Sequence, residues 1–357
     1  MHNKAICNDT LHKVDEELSV FINSMFSHFI KEKGLKIKLQ DIKITSLKSV
    51  TYSIIVKFNM VFSSCSKQMV AKISKNMANG KLNIPQVKRE WEVLTALYSE
   101  LGDRIKGALN PIFYFENERF QAMITEEIKG ETLHSILVQE LKNLFPSGNS
   151  YIIRHYLCSA GQWLKRFQEI TQKPYDRQSV YSVYEDIPNR IYKQLDDSER
   201  MNALDKRLAK KIYTYVRMNE NLWDELSSLG LVGTHSDFIP VNIMVKNDNQ
   251  DIIVLDFTNF KYSLAYRDVV SFLCSLDFFV NKFVIKKRII EKWKRYFLDG
   301  YGKLDKNYPV YRLCYIRENL GYLINLYRIP SGSRLKNIAV MWSVNRVKVN
   351  LQKTIEK

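Results

Sequence analysis

The spacing of apolar residues changes several times along the 357-residue chain, and each change predicts a different element. Between residues 11 and 33, Leu18, Ile22, Phe26 and Phe29 recur at steps of three and four, the stripe of an amphipathic helix. The pattern then shifts to runs rich in Ile, Val, Thr and Tyr. Ile42–Leu47, Thr51–Phe58 and Gln68–Ile73 read as three strands, closed by a turn at Asn79-Gly80. Residues 86–101 return to helical spacing through Val87, Trp91, Leu94, Leu97 and Leu101. Two more strands follow, Ile112–Phe115 and Phe120–Thr125. From about residue 131 the chain reads as mostly helical. Residues 151–169 carry Ile152, Tyr156, Ala160, Trp163 and Phe167 on one face. Residues 186–229 hold two or three helices, and 268–298 and 309–328 are helical again. One strand pair, Ile243–Val245 and Ile252–Leu255, interrupts this half. The order predicts an α+β fold in two lobes with a boundary near residues 126–130.

Composition agrees with a folded chain. Hydrophobic residues make up 45% and aromatics 12%, enough for a substantial core. Cys7, Cys65, Cys158, Cys274 and Cys314 are scattered with no CxxC pair, so neither a zinc site nor a disulfide framework is indicated, and buried reduced thiols are expected. The opening stretch MHNKAICNDTLHKVDEEL lacks the apolar core of a signal peptide. The longest apolar run, VVSFLCSLDFFV, is too short to span a bilayer and contains Asp277, so a soluble, cytoplasmic protein is expected. The net charge of +16 favours an anionic partner: a nucleotide, nucleic acid, an acidic glycan or a membrane surface. No base-reading motif accompanies it, which argues against nucleic acid. The stretch NKFVIKKRIIEKWKRYFL is a basic amphipathic helix with Ile285, Ile289, Trp293 and Phe297 on its apolar side. Its charge either stays solvated or meets an acidic glycan or membrane headgroup.

The most informative stretch is GTHSDFIPVNIMVKNDNQDIIVLDF, residues 233–257. Two apolar strand runs flank the turn-rich segment KNDNQD. Asn242 lies seven residues before Asn249 at the middle of that turn, and Asp256 seven after it. A hairpin folded about this centre brings Asn242 and Asp256 together at its open end. Two oxygen ligands there suit Mg2+, which takes one or two side-chain oxygens and completes its shell with phosphate and water. Asp237, five residues before Asn242, can face the same space as a proton acceptor. His235-x-Asp237-x-x-x-x-Asn242, a strand and then Asp256 is the order of residues used for phosphoryl transfer.

This motif resembles that of the aminoglycoside phosphotransferase and choline kinase superfamily, whose members have a bilobal protein-kinase-like fold. Those enzymes usually read His-Gly-Asp-x-x-x-x-Asn; here Ser236 stands at the glycine position. The resemblance extends to MVAKIS, which places Lys72 where the family has its phosphate-binding lysine, and to KREWEVLTAL, which offers Glu90 as its ion-pair partner. Glu92 is the competing acid. MITEEIKGETL resembles the hinge between lobes, so the backbone of Glu126 and Ile128 would meet the adenine edge. Tyr266-Arg267-Asp268-Val269 resembles the segment that starts the helix after the metal site. The loop SLKSVTYS has no glycine, so Ser49, Val50 and Thr51 would cover the phosphates instead.

The resemblance implies an extension over residues 1–40, a small lobe of antiparallel sheet plus one helix over 41–125, a hinge at 126–130 and a larger helical lobe over 131–357. It implies a kinase using Mg2+ and ATP, with GTP as the alternative donor, and a hydroxyl acceptor on a small molecule, sugar or glycan. Asp237 would be the base, Asn242 and Asp256 the metal ligands, and Lys72 with Glu90 the phosphate clamp. The mixed-to-basic acceptor region favours a sugar, glycan or other polar hydroxyl acceptor, with an anionic one open, over an aminoglycoside. A nucleotide-binding regulatory protein with weak catalysis is the alternative class. His235 is expected to be structural.

Overall fold

The computed structural model describes residues 16–49, 53–62, 65–75, 86–142, 150–220, 222, 230–248, 251–282, 287–329 and 333–356. The expected turn at Asn79-Gly80, together with Cys7, Val50, Thr51, Asn249 and Ile285, lies outside them. The chain divides into two units, Met1–Lys129 with Val254–Thr258, and Gly130–Ile253 with Asn259–Lys357.

In the first unit, β1 (Ile42–Ser49), β2 (Ile54–Val61), β3 (Ser66–Lys75), β4 (Pro111–Glu116) and β5 (Phe120–Glu126) form an antiparallel sheet in the order β1-β2-β3-β5-β4. Strand alternation decides which residues face which layer. Met69, Ala71 and Ile73 of β3 are buried with Phe58, Phe113 and Phe120 in the core that α1 (Glu16–Glu32) covers. The predicted stripe of Leu18, Ile22, Phe26 and Phe29 supplies the other half of that core. Phe26 meets Phe58 at 4.6 Å and Phe29 meets Phe113 at 5.2 Å between ring centroids. Lys72, between Ala71 and Ile73, therefore points from the opposite face of the sheet.

The second helix, α2 (Gln86–Leu101), packs against β3, β4 and β5. Val87, Leu94, Leu97 and Leu101 are buried as expected. Trp91 is not; it is half-buried and stacked on Tyr114, and Glu90 occupies its place on the buried face. The physical reason is rotation, since one residue moves a side chain about 100° around a helix. Positions 87, 90, 94, 97 and 101 and positions 87, 91, 94, 97 and 101 both step by three and four, so spacing admits either residue, and the packing of the helix puts Glu90 on the buried face.

The second unit is mostly helical: α3 (Leu133–Lys142), α4 (Ser150–Ile170), α5 (Arg177–Arg200), α6 (Lys206–Met218), α7 (Tyr266–Lys282), α8 (Lys287–Tyr301), α9 (Pro309–Tyr327) and α10 (Arg334–Ile355). Asp176 caps α5 by accepting from the Ser179 N–H, which starts that helix earlier than residue 186. Asp205 caps α6 in the same way. Short strands punctuate the helices. β6 (Gly130–Thr132) lies beside β8 (Ile243–Lys246) and β9 (Ile252–Val254), while β7 (Val232–Thr234) pairs with β10 (Lys261–Ser263). The hairpin strands thus match the sequence pattern, whereas β6, β7 and β10 are too short to show alternation. Gly130 is required by proximity, because a Cβ there would lie 1.9 Å from the Val245 carbonyl oxygen.

Two helical faces turn one residue from expectation. Ile153 rather than Ile152 is buried in α4, and Ile290 rather than Ile289 in α8. These two helices approach so closely that their glycines touch the opposite backbone. A Cβ on Gly161 would lie 2.2 Å from the Phe297 carbonyl oxygen, and one on Gly300 would lie 2.0 Å from that of Cys158. Cys274 and Cys314 are buried thiols as expected, whereas Cys65 is exposed. Among the described residues no helix is long and apolar enough to cross a membrane.

Gly161→Ala should cost on the order of 1–3 kcal/mol, because the opposing atom is backbone and cannot rotate away. Urea denaturation measures it. A variant as stable as the wild type would show that the two helices do not approach this closely.

Candidate active site

In the first unit, Lys72 extends from the middle of β3, opposite Ile55 on β2 and Met123 on β5. Its ammonium donates to Glu90 Oε2 at 2.7 Å and to Asp256 Oδ1 at 3.1 Å. An ammonium has three donors, so this geometry leaves capacity for one further acceptor. Glu90 is only 1% exposed, and it also accepts from the backbone N–H of Phe257. Glu90 thereby ties the β3 lysine to the segment that carries Asp256. That segment is anchored by backbone bonds on either side of Val254: the Leu109 N–H donates to its carbonyl at 3.0 Å, and its own N–H donates to Gly107 at 2.7 Å. Asp256 has a φ of +64°, and Thr258 Oγ1 donates to its Oδ1 at 2.7 Å.

Burial works against the Lys72 charge, but the adjacent Glu90 and Asp256 carboxylates outweigh it and hold the lysine pKa above its ordinary value. Burial also lifts the Glu90 carboxyl, against the pull of Lys72. The two partners thus move in the same direction for different reasons. With donor and acceptor at 2.7 Å, we take the pair as ionised.

In the second unit, the loop after β7 carries His235, Ser236 and Asp237. Two backbone N–H groups, those of His235 and Ser236, donate to the two oxygens of Asp268 at 2.7 and 2.8 Å. Asp268 sits in the first turn of α7 and is fully buried. Burial pushes its carboxyl up to about 6, against the pull of those two N–H donors. Ser236 adopts a φ of +66°, the left-handed region that glycine enters without cost. Its hydroxyl lies 3.1 Å from that of Thr234. The amide of Asn242 donates to both the carbonyl and the carboxylate of Asp237, each at 2.9 Å. Asn242 thus fixes the Asp237 side chain. His235 is fully buried with its ring edge against Phe238, as a structural residue should be.

The site residues assigned from sequence fall into these two groups. Lys72, Glu90 and Asp256 meet in the first unit, and Asp237 meets Asn242 in the second. Ser49 ends β1, exposed and opposite Ile54; its expected companion Thr51 lies outside the described residues. Glu126 ends β5 opposite Met69 and pairs with Lys67, and Ile128 follows in the loop. Each unit, taken by itself, offers one oxygen donor of a kind that a divalent cation takes. Asp256 offers a part-exposed carboxylate, and Asn242, with its N–H donors turned to Asp237, offers a neutral oxygen. The basic helix α8 spends part of its charge internally. Lys294 is held by Asp277 at 2.6 Å with both side chains largely buried, and Lys292 lies over the Tyr296 ring. Two features escaped sequence reasoning: the Asp268 clamp on two backbone amides, and the Asn242 bond to Asp237.

The model of the phosphotransferase enzyme family matches residues 82–314. Three solved structures share the fold. Ethanolamine kinase from Plasmodium vivax is 14% identical with a TM-score of 0.55, covering 95% of this chain and 91% of that one. Choline kinase from Cryptosporidium parvum is 14% identical with a TM-score of 0.52, covering 96% of each chain. A glucosamine kinase in complex with glucosamine, ADP and inorganic phosphate is 13% identical with a TM-score of 0.53, covering 92% of this chain and 82% of that one. No curated protein matches the sequence significantly.

Ser236→Gly should melt at or above the wild-type temperature, whereas Ser236→Val should lose about 1–3 kcal/mol by forcing a branched residue into the left-handed region. A tolerated valine together with a damaging glycine would contradict the loop geometry. The second expectation concerns pH. A carboxyl whose folded pKa is raised from 3.8 to about 6 binds more protons folded than unfolded between those values, so its contribution to stability falls as pH rises through that window. The stability difference between wild type and Asp268→Asn, followed by chemical denaturation, should therefore fall across it and then level off. A difference that is flat or rises would contradict a raised pKa.

Proposed function

The chain belongs to the phosphotransferase enzyme family, and on that premise we propose that it moves the γ-phosphate of ATP to an alcohol of a small polar molecule or sugar. The observation that carries this reading is the Lys72 ammonium held between Glu90 and Asp256, brought together from three distant parts of the sequence. Lys72 contacts the donor's phosphate oxygens, and Glu90 keeps it in place. Asn242 and Asp256 are the residues we assign to Mg2+, on their order around the hairpin and their oxygen donors. The bound cation would supply charge neutralisation at the phosphate oxygens. Ser49 and Thr51 are assigned to the phosphates, and the backbone of Glu126 and Ile128 to the adenine edge.

Asp237 receives the proton of the acceptor hydroxyl. As that O–H bond breaks, the acceptor oxygen bonds to the γ-phosphorus and the bridging P–O bond breaks, leaving ADP. The Asn242 amide, bonded to the Asp237 carboxylate, holds the carboxylate in one orientation and so reduces the reorganisation needed at the proton transfer. Asp237 here is a base positioned by its own loop.

Asp237→Asn keeps the shape and removes the proton acceptor. Transfer should fall by about 10²–10⁴, the value of a positioned general base, while the dissociation constant for ATP stays nearly unchanged. Asp256→Ala should abolish turnover and retain a wild-type circular dichroism spectrum. Transfer by Asp237→Asn at the wild-type rate would remove Asp237 from the chemistry, and full turnover by folded Asp256→Ala would remove the metal assignment.

A further inference from the structure

Beside the loop that carries Asp237, the second unit gathers more positive charge than it neutralises. Lys261 of β10 pairs directly across from Thr234 on β7, and its carbonyl accepts from the Thr234 hydroxyl at 2.8 Å. Thr234 lies three residues before Asp237. Arg267 immediately precedes Asp268, the residue that clamps the His235 and Ser236 amides. Arg317 comes from α9 and Arg190 from α5. Four separate elements therefore direct cations to one place.

Their mutual proximity is visible in their electrostatics. Burial depresses the Lys261 pKa, and the charges of Arg267, Arg317 and Arg190 add to the depression, with only Asp186 opposing. Burial lowers that of Arg267, and Arg317 lowers it further against the nearby charges of Asp268 and Glu318, while at Arg317 itself burial is outweighed by Glu318 and the pKa is raised. The carboxylates nearby are few and engaged. Asp186 is 3.8 Å from Lys261, Glu318 is 2.5 Å from Arg317, and Asp268 gives both oxygens to the loop amides. Arg317 is only 7% exposed. The Nε of Arg267 is buried and has no hydrogen-bond acceptor among the described residues. Lys261 and Arg190 lie at the exposed rim.

A buried guanidinium N–H without an acceptor, beside like charges, is costly unless an anion completes the site. Arginine forks match the oxygens of phosphate in pairs. We infer that this cluster binds an oxyanionic group of the acceptor, best matched by a phosphomonoester, and so holds a phosphorylated small molecule with its reacting hydroxyl toward Asp237. The inference rests on the phosphotransferase reading for the word acceptor, while the anion site stands on the cluster itself.

The first test uses inorganic phosphate as the probe, titrated calorimetrically into the full-length protein in a Lys72→Met background, which removes the lysine assigned to nucleotide phosphates. Phosphate should bind. A rim variant combining Arg190→Gln with Lys261→Gln should weaken binding by about tenfold or more, the loss of a charge-assisted hydrogen bond. Both rim residues are exposed, so the fold should survive, and thermal melting checks this. Arg267→Gln should weaken binding further, and Arg267→Lys should restore part of it. Absence of phosphate binding, or binding unchanged in the rim variant, overturns the inference. The second test compares transfer from ATP to glucose and to glucose 6-phosphate. A Michaelis constant at least about tenfold lower for the phosphorylated sugar, with the gap closing in the rim variant, supports the inference. Turnover with no preference overturns the inference and leaves the phosphotransferase reading intact. Phosphate binding at the cluster with no transfer to any alcohol in a broad panel supports the anion site and overturns the phosphotransferase reading.

Discussion

A lysine in the middle of a central strand is the constraint on which the first unit depends. Lys72 lies between its cross-strand partners Ile55 and Met123, so its stem runs beside apolar side chains and its charge must be met by carboxylates. Glu90 and Asp256 meet it. To do so, α2 must present an acid from its buried stripe, and the chain must return residues 254–258 to the first unit. Removing Glu90 would leave an uncompensated buried ammonium, which is far costlier than replacing the whole pair. The same clustering that satisfies the charge produces the geometry we assign to phosphate binding. Structure and proposed chemistry draw on the same three residues.

The Asp237 loop of the second unit uses the reverse arrangement, with backbone amides satisfying a buried carboxylate. Asp268 collects the N–H groups of His235 and Ser236, and that fixes where Asp237 emerges. Asn242 then constrains the Asp237 side chain. Ser236 is held in a backbone conformation it does not favour, and Asp268 and the Thr234 hydroxyl secure it there. A rigid loop of this kind supplies orientation before any substrate binds.

Much of this was legible in the sequence because it is local. The stripe of α1, the sheet strands and the spacing from His235 to Asn242 are patterns within a few residues of one another. Glu90 was legible only through the family resemblance, because the apolar stripe of its helix reads equally well through Trp91. Faces failed by one residue at Ile152 and Ile289 because neighbouring apolar residues made two phases nearly equivalent. The positive φ of Ser236 was signalled only by the glycine that the family usually has at that position, since serine itself seldom adopts it. The cationic cluster was illegible, since Arg190, Lys261, Arg267 and Arg317 come from four elements and no spacing links them. Net charge pointed to α8 instead, where Lys294 proves to be an internal partner of Asp277.

In the proposed transfer of the γ-phosphate, Lys72 and Glu90 act as one unit. A double-mutant cycle tests this most directly, with turnover of γ-labelled ATP measured for wild type, Lys72→Met, Glu90→Gln and the combined variant. If Glu90 works only by holding Lys72, each single variant loses most of its turnover and the combined variant loses no more than Lys72→Met alone. Losses that multiply, or wild-type turnover in either single variant, would contradict it.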